Sequence, residues 1–134
     1  MVTDNEIILP VVPIPKPRQT RRDVFNPSNR VIAYRAFADQ LRMHAQKVGY
    51  IPGVQLSLTF VIPMPESWSE KKKCLHDGEP HKQRPDLDNL IKAFKDALYK
   101  KVKGSDMDDC QVWYYGSMKK VWGRTGEIRV HLNE

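Results

Sequence analysis

The chain has 134 residues, 22 of them Lys or Arg and 16 Asp or Glu, giving a formal charge of +6 and a pI near 9.4. Residues 1–134 fit a single domain, a 40% hydrophobic content is enough for a core, and the lack of any long apolar run excludes a membrane span. Two cysteines, Cys74 and Cys110, exclude a disulfide scaffold and point to reduced thiols in a cytoplasmic protein, while the basic balance favours a polyanionic partner.

Residues 7–14 form an apolar run interrupted by Pro10 and Pro13. It is short and has no basic leader, so it does not read as a secretory signal. Proline cannot donate to a sheet ladder, so the run is at best an edge strand. Residues 15–29, with Lys16, Arg18, Arg21 and Arg22 among three prolines, read as a basic extended loop. Val31, Tyr34, Ala38, Leu41, Ala45 and Val48 then follow helical spacing up to Gly49. Val54, Leu56, Leu58, Phe60 and Ile62 alternate with polar residues and predict a strand with one buried face. A short helix over 66–73 and a mobile basic loop over 74–85 come next. Leu87, Leu90, Ile91, Phe94, Leu98 and Val102 form the apolar stripe of a second main helix, which Gly104 ends. Residues 111–121 predict an aromatic-rich strand, and a turn at 123–126 pairs it with a last strand over 127–132. The expected class is α+β: a small single domain with a mainly antiparallel or mixed sheet and two main helices.

Charge is unevenly spread along this order. Thirteen basic residues face eight acidic ones up to residue 85, and nine face eight thereafter. Six of the ten aspartates fall within residues 86–109. The centre of this cluster is Asp86-Leu87-Asp88-Asn89-Leu90, with Lys92 following, and a second group, Asp106, Asp108 and Asp109, precedes the aromatic strand. Asp88 and Lys92 share a helix face opposite the apolar stripe, with Lys95 and Tyr99 on the same side. If residues 84–86 are extended, Asp86 can join that face at the helix start. Were Asp109 brought alongside, three carboxylates would repel one another unless a hard divalent cation lay between them. Such a cation is suited to phosphodiester hydrolysis. The same residues also fit plainer roles: Asp86 as an N-cap, Asp88 as a charge favoured by the helix dipole and ion-paired with Lys92, and Asp108 and Asp109 in a solvated turn.

At these motifs the chain resembles the RusA-type Holliday-junction resolvases of bacteria and their phages. The resemblance rests on Asp-Leu-Asp-Asn-Leu-x-Lys at 86–92, Asp-Ala-Leu at 96–98 and Asp-Asp-x-Gln-Val at 108–112. Pro-Lys-Pro-Arg at 15–18 and the last strand support it. It implies a homodimeric α+β endonuclease that uses Mg²⁺, with Mn²⁺ substituting, to cut four-way junctions or other branched DNA in recombination and repair, in a bacterial or prophage-bearing host. Asp86, Asp88 and Asp109 would be the metal-binding and catalytic carboxylates. Lys92 would face the scissile phosphate, with Asp108 and Asn89 as supporting neighbours. The long, Lys-rich stretch over 66–85 departs from the family pattern.

With DNA as the substrate, candidate phosphate contacts are Lys16, Arg18, Arg21 and Arg22, then Lys71, Lys72 and Lys73, then Lys82 and Arg84. Trp113, Tyr114, Tyr115 and Trp122 are expected in sheet packing or dimer contacts rather than on bases. Two symmetric cuts favour a C2 dimer. The histidines have no zinc-ligand spacing with either cysteine. A non-catalytic nucleic-acid-binding module is the alternative, and a protein-binding scaffold a third.

Overall fold

A computed structural model describes residues 5–18, 20–99 and 108–132. The expected helix stop at Gly104, and with it Val102 and Asp106, lies outside the described residues. The elements run β1 (Glu6–Leu9), α1 (Arg22–Phe25), α2 (Asn29–Val48), β2 (Gln55–Pro63), α3 (Glu70–His76), α4 (Leu87–Leu98), a 3-10 turn (Asp109–Gln111), β3 (Tyr114–Gly123) and β4 (Glu127–His131). The four strands form one mixed sheet in the order β1-β4-β2-β3. β4 runs antiparallel to both β1 and β2, whereas β2 and β3 are parallel. The class is therefore α+β, as expected.

β3 and β4 are not a hairpin. The turn chemistry at 123–126 suggested one locally, but β2 lies between the two strands. The connection instead crosses the end of β2. A Cβ at Gly123 would sit 2.2 Å from Val61 Cγ1, and one at Gly126 would sit 2.7 Å from Val12 Cγ2. Glycine is required because the backbone passes so close to its neighbours.

β2 is consequently central, and it is buried on both faces from Leu56 to Val61 rather than on one. Its buried polar groups include Thr59, whose hydroxyl meets His131 Nε2 at 2.8 Å. β1 is an edge strand, as the prolines dictate, with Ile7 and Leu9 buried.

Capping chemistry fixes where the helices begin. Ser28 Oγ accepts the Val31 N–H, so α2 starts at Asn29, before the first apolar residue of its stripe. At its end Gly49 adopts φ 74°, and the Tyr50 N–H returns to the Ala45 carbonyl at 2.8 Å. Ser69 caps α3 in the same way, which moves that helix from the expected 66–73 to Glu70–His76. The basic loop at 15–29 also contains a short helical turn, Arg22–Phe25.

Residues 78–81 are held in place rather than mobile. The Gly78 N–H reaches the Trp122 carbonyl, Trp122 reaches Glu79, and His81 reaches Lys120, at 2.9–3.0 Å. They therefore extend the sheet along the outer edge of β3, with the His81 and Trp122 ring centroids 4.3 Å apart and the rings tilted by 55°.

α4 packs through Leu90, Ala93, Phe94, Ala97 and Leu98. Burying a side chain such as Phe94 contributes about 1.5–3 kcal/mol. Three long side chains fix the helix to its surroundings. Tyr34 Oη donates to the Ala93 carbonyl (3.5 Å), Arg42 Nη1 to the Ala97 carbonyl (3.1 Å), and Tyr99 Oη to the Gly53 carbonyl (2.7 Å). Burial raises the pKa of Tyr34, Tyr50 and Tyr99, so the phenols of Tyr34 and Tyr99 stay protonated as donors. The opposite, polar face of α4 is thereby held outward. Among the described residues, no helix is long and apolar enough to cross a membrane.

Candidate active site

The polar face of α4 begins at Asp86. This residue has extended backbone angles (φ −67°, ψ 143°) and occupies the N-cap position, yet its carboxylate makes no capping hydrogen bond. The extended entry before the helix is therefore present, but capping does not consume the side chain. Asp86 and Asp88 are both exposed. The i,i+4 ion pair between Asp88 and Lys92 does not form, and among the described residues neither side chain has an ion-pair partner.

The 3-10 turn supplies the next carboxylates. Asp108 accepts the Gln111 backbone N–H, and the Gln111 side chain accepts the Asp108 N–H at 2.8 Å. This reciprocal cap uses the Asp108 carboxylate to shape the turn. The neighbouring Asp109 carboxylate remains available, half-buried, and faces α4. The same cap explains why the strand starts at Tyr114 and not at 111.

Asp88 and Asp109 line one cleft of about 200 Å³, together with Ile91, Lys92, Lys95, Asp96 and Tyr115. Lys95 Nζ donates to Tyr115 Oη at 3.0 Å, tying the helix to β3 across the cleft. Asp96 is held from the other side by Lys16 Nζ at 2.5 Å, which draws the N-terminal basic segment onto α4. A second cleft opens beside the first and shares Lys92, lined by Lys16, Pro17, Arg18 and Asn89. A third, past Asn89, is lined by Pro15, Arg30, Arg84, Pro85 and Asp86.

Asp86 therefore lines a different cleft from Asp88 and Asp109, with the cleft of Lys16, Asn89 and Lys92 between the two. Among the described residues, no three His, Cys, Asp or Glu side chains are grouped closely enough to hold a metal ion. Of the three carboxylates lining the first cleft, Asp96 is paired with Lys16, and Asp88 and Asp109 remain as hard oxygen donors beside Lys92, which has no ion-pair partner among the described residues. That set fits Mg²⁺, which needs only one or two carboxylates and otherwise keeps its waters.

Of the expected phosphate contacts, Lys16, Arg18 and Arg84 line this groove. Lys82 is exposed two residues before Arg84, and Arg21 and Arg22 are exposed at α1 without lining it. Lys71, Lys72 and Lys73 lie on α3, within the short helix expected there. Lys72 sits 4.2 Å over the Trp68 ring, which itself packs on Trp122 near the far end of β3. At about 3.3 Å per residue, that end lies some 20 Å along the strand from Tyr115.

Sequence reasoning missed Arg30 and assigned Tyr115 to packing. Arg30 stands in the first turn of α2, directly after the Ser28 cap, where only the fold reveals that it faces Asp86.

No curated protein is similar enough to the chain to count as a match. A family model does match it, that of endodeoxyribonuclease RusA, over residues 10–133. The match takes in Lys16, the whole polar face of α4 and the Asp108–Asp109 turn, the segments that the fold assembles into one groove. On that match the chain belongs to the RusA endodeoxyribonuclease family.

Proposed function

We propose that this protein is a divalent-metal-dependent endonuclease that resolves four-way DNA junctions, or closely related branched DNA, by paired phosphodiester cleavage as a C2 homodimer. One observation carries the reading. Asp88 and Asp109, from separate elements, open onto the same cleft as Lys92, and none of the three is spent on another described partner.

In this reading Asp88 and Asp109 would hold Mg²⁺ or Mn²⁺, and Asp86 would approach from the cleft on the far side of Asn89. When bound, such a cation supplies a more acidic water and charge neutralisation at the leaving oxygen. Lys92 places its ammonium against the charge that develops on the phosphate, where a fixed donor is worth most. Asn89 and Lys16 line the path between the two clefts, and Arg18, Arg30 and Arg84 neutralise flanking phosphates. Asp108 holds the turn that aims Asp109.

A non-catalytic DNA-binding module is the competing reading. It is favoured by the absence, among the described residues, of a group of three metal ligands. One assay separates the two: incubation of a labelled four-way junction with and without Mg²⁺, using the wild-type chain and Asp88→Asn. The nuclease reading expects paired nicks from the wild type alone and junction binding by both proteins. Failure of the wild type to produce any nick with Mg²⁺ or Mn²⁺ would favour the binding module.

A further inference from the structure

Three aromatic residues are consecutive where the 3-10 turn passes into β3. Trp113 is 71% exposed, Tyr114 45% and Tyr115 44%. An exposed tryptophan is costly unless something covers it, because its large apolar face would otherwise remain in water. The segment is also rigid: the Trp113 N–H donates to the Val54 carbonyl at 3.0 Å, the Val112 N–H closes the preceding turn onto Asp109, and the Tyr114 and Tyr115 backbones pair with Gln55 and Leu56. The Trp113 and Tyr114 rings are 5.6 Å apart, tilted by 40°. Tyr115 belongs at once to this row and to the cleft of Asp88 and Asp109, where Lys95 holds its hydroxyl.

We propose that Trp113 and Tyr114 form a stacking platform for an unstacked nucleobase beside the scissile phosphate. This inference rests on the nuclease reading. Three features select a base as the occupant. The platform residues immediately precede Tyr115, which lines the phosphate cleft. Its rim carries a cation, Lys95, that complements a nucleic-acid backbone. Branched DNA offers unstacked bases at the crossover that a continuous duplex does not, and aromatic rings accept any base because every base has a π-face. Among the described residues no base-reading motif is needed, since selection follows from which DNA can release a base.

The test uses full-length chain carrying Asp88→Asn, so that DNA stays intact, with and without Trp113→Ala. Affinities are measured for a four-way junction, a single strand and a fully paired duplex at several salt concentrations. Trp113→Ala is expected to weaken junction and single-strand binding by about tenfold, with duplex binding and the salt slope unchanged. Trp113→Phe is expected to restore most of the affinity, because it returns an aromatic face. Equal loss on all three DNAs, no loss at all, or a change from dimer to monomer in sedimentation would overturn the platform. The last result would assign the row to a second copy of the chain. The two readings fail separately: a wild type that cuts junctions while Trp113→Ala binds normally removes only the platform. A wild type that never cuts removes the nuclease reading, whatever Trp113 does.

Discussion

Lys120, on β3, donates its ammonium to the Pro85 carbonyl at 2.6 Å, one residue before Asp86. It also donates to the Gln83 carbonyl. A single cation on the sheet thus holds both sides of the turn that leads into α4. Lys120→Met keeps the length of the stem but leaves these carbonyls without their donor. The expected cost in urea denaturation is about 1–2 kcal/mol, because hydrogen bonds to a charged group are worth more than neutral ones. Junction cleavage should fall at least tenfold while junction affinity stays within about threefold. Equal losses in affinity and cleavage would show that Lys120 acts by contacting DNA, not by setting the position of Asp86.

Asp108 and Asp109 are adjacent yet differ in what their carboxylates do, and paired substitutions should separate them. Asp108→Ala removes a cap and should cost about 0.5–2 kcal/mol of stability, with Asp108→Ser restoring most of it. Asp109→Asn should leave stability within about 0.5 kcal/mol, as expected for a group with no described partner, and should abolish cleavage. Thermal melts alongside single-turnover cleavage read both effects. Normal turnover by Asp109→Asn would remove Asp109 from the chemistry.

Arg30 and Arg84 lie with Asp86 in one cleft. Arg30→Ala should weaken binding to all DNA sequences alike and reduce the slope of log K against log salt by about 1, the signature of one lost phosphate contact. Arg21→Ala, outside the groove, should change the slope less. Titrations between 50 and 200 mM salt provide the comparison.

His81 is buried against Trp122, with Nδ1 unpartnered. Burial, reinforced by the Lys120 ammonium, holds its pKa below the usual 6.5. The unfolded chain therefore binds the proton more readily than the folded one. His81 contributes its full stability above pH 6.5, and the contribution declines as the pH falls from 6.5 through the lower folded-state value. Denaturant midpoints at pH 5.5 and 7.5 should show a smaller drop for His81→Phe than for the wild type. The difference is bounded by about 1.4 kcal/mol per pH unit. Identical drops in the two proteins would show that other groups carry the acid sensitivity.

The features legible in the sequence are those set by near neighbours along the chain. The stripe through Leu90, Phe94 and Leu98 marks the buried side of α4, and its polar complement puts Asp88, Lys92 and Lys95 together, whereas Tyr99, expected on the same face, is buried where α4 ends and donates to the Gly53 carbonyl. Ser28 and Gly49 bracket α2 through local hydrogen bonds. What escaped depends on distant partners. The Gly123–Gly126 segment has the chemistry of a hairpin turn, and nothing within it reveals that β2 takes the place between the strands. The alternation in β2 suggests a half-exposed strand because Ser57 and Thr59 are polar, but a central position buries them too. Arg30 and Tyr115 enter the groove only because α2 and β3 are packed beside α4. That Asp86 and Asp109 line different clefts is likewise tertiary, since motif spacing constrains order along the chain and not which cleft a side chain enters.

The parallel pairing of β2 with β3 has a consequence for how this groove can vary. The chain leaves β2 at Pro63, touches the outer edge of β3 at residues 78–81, and enters β3 itself at Tyr114, beside the strand it left. Everything proposed for chemistry on the acidic side, from Asp86 through Asp109, rides on that one excursion. Its ends are anchored by strand pairing, and α4 is fastened midway by Tyr34, Arg42 and Tyr99. Insertions or deletions in the stretch before α4 can therefore alter how far the protein reaches over its substrate without shifting the register of either strand. The Lys-rich stretch expected to depart from the family pattern, 66–85, falls within this excursion, but residues 78–85 are tied to β3 through Gly78, His81 and Lys120, so remodelling costs the carboxylates least before residue 78.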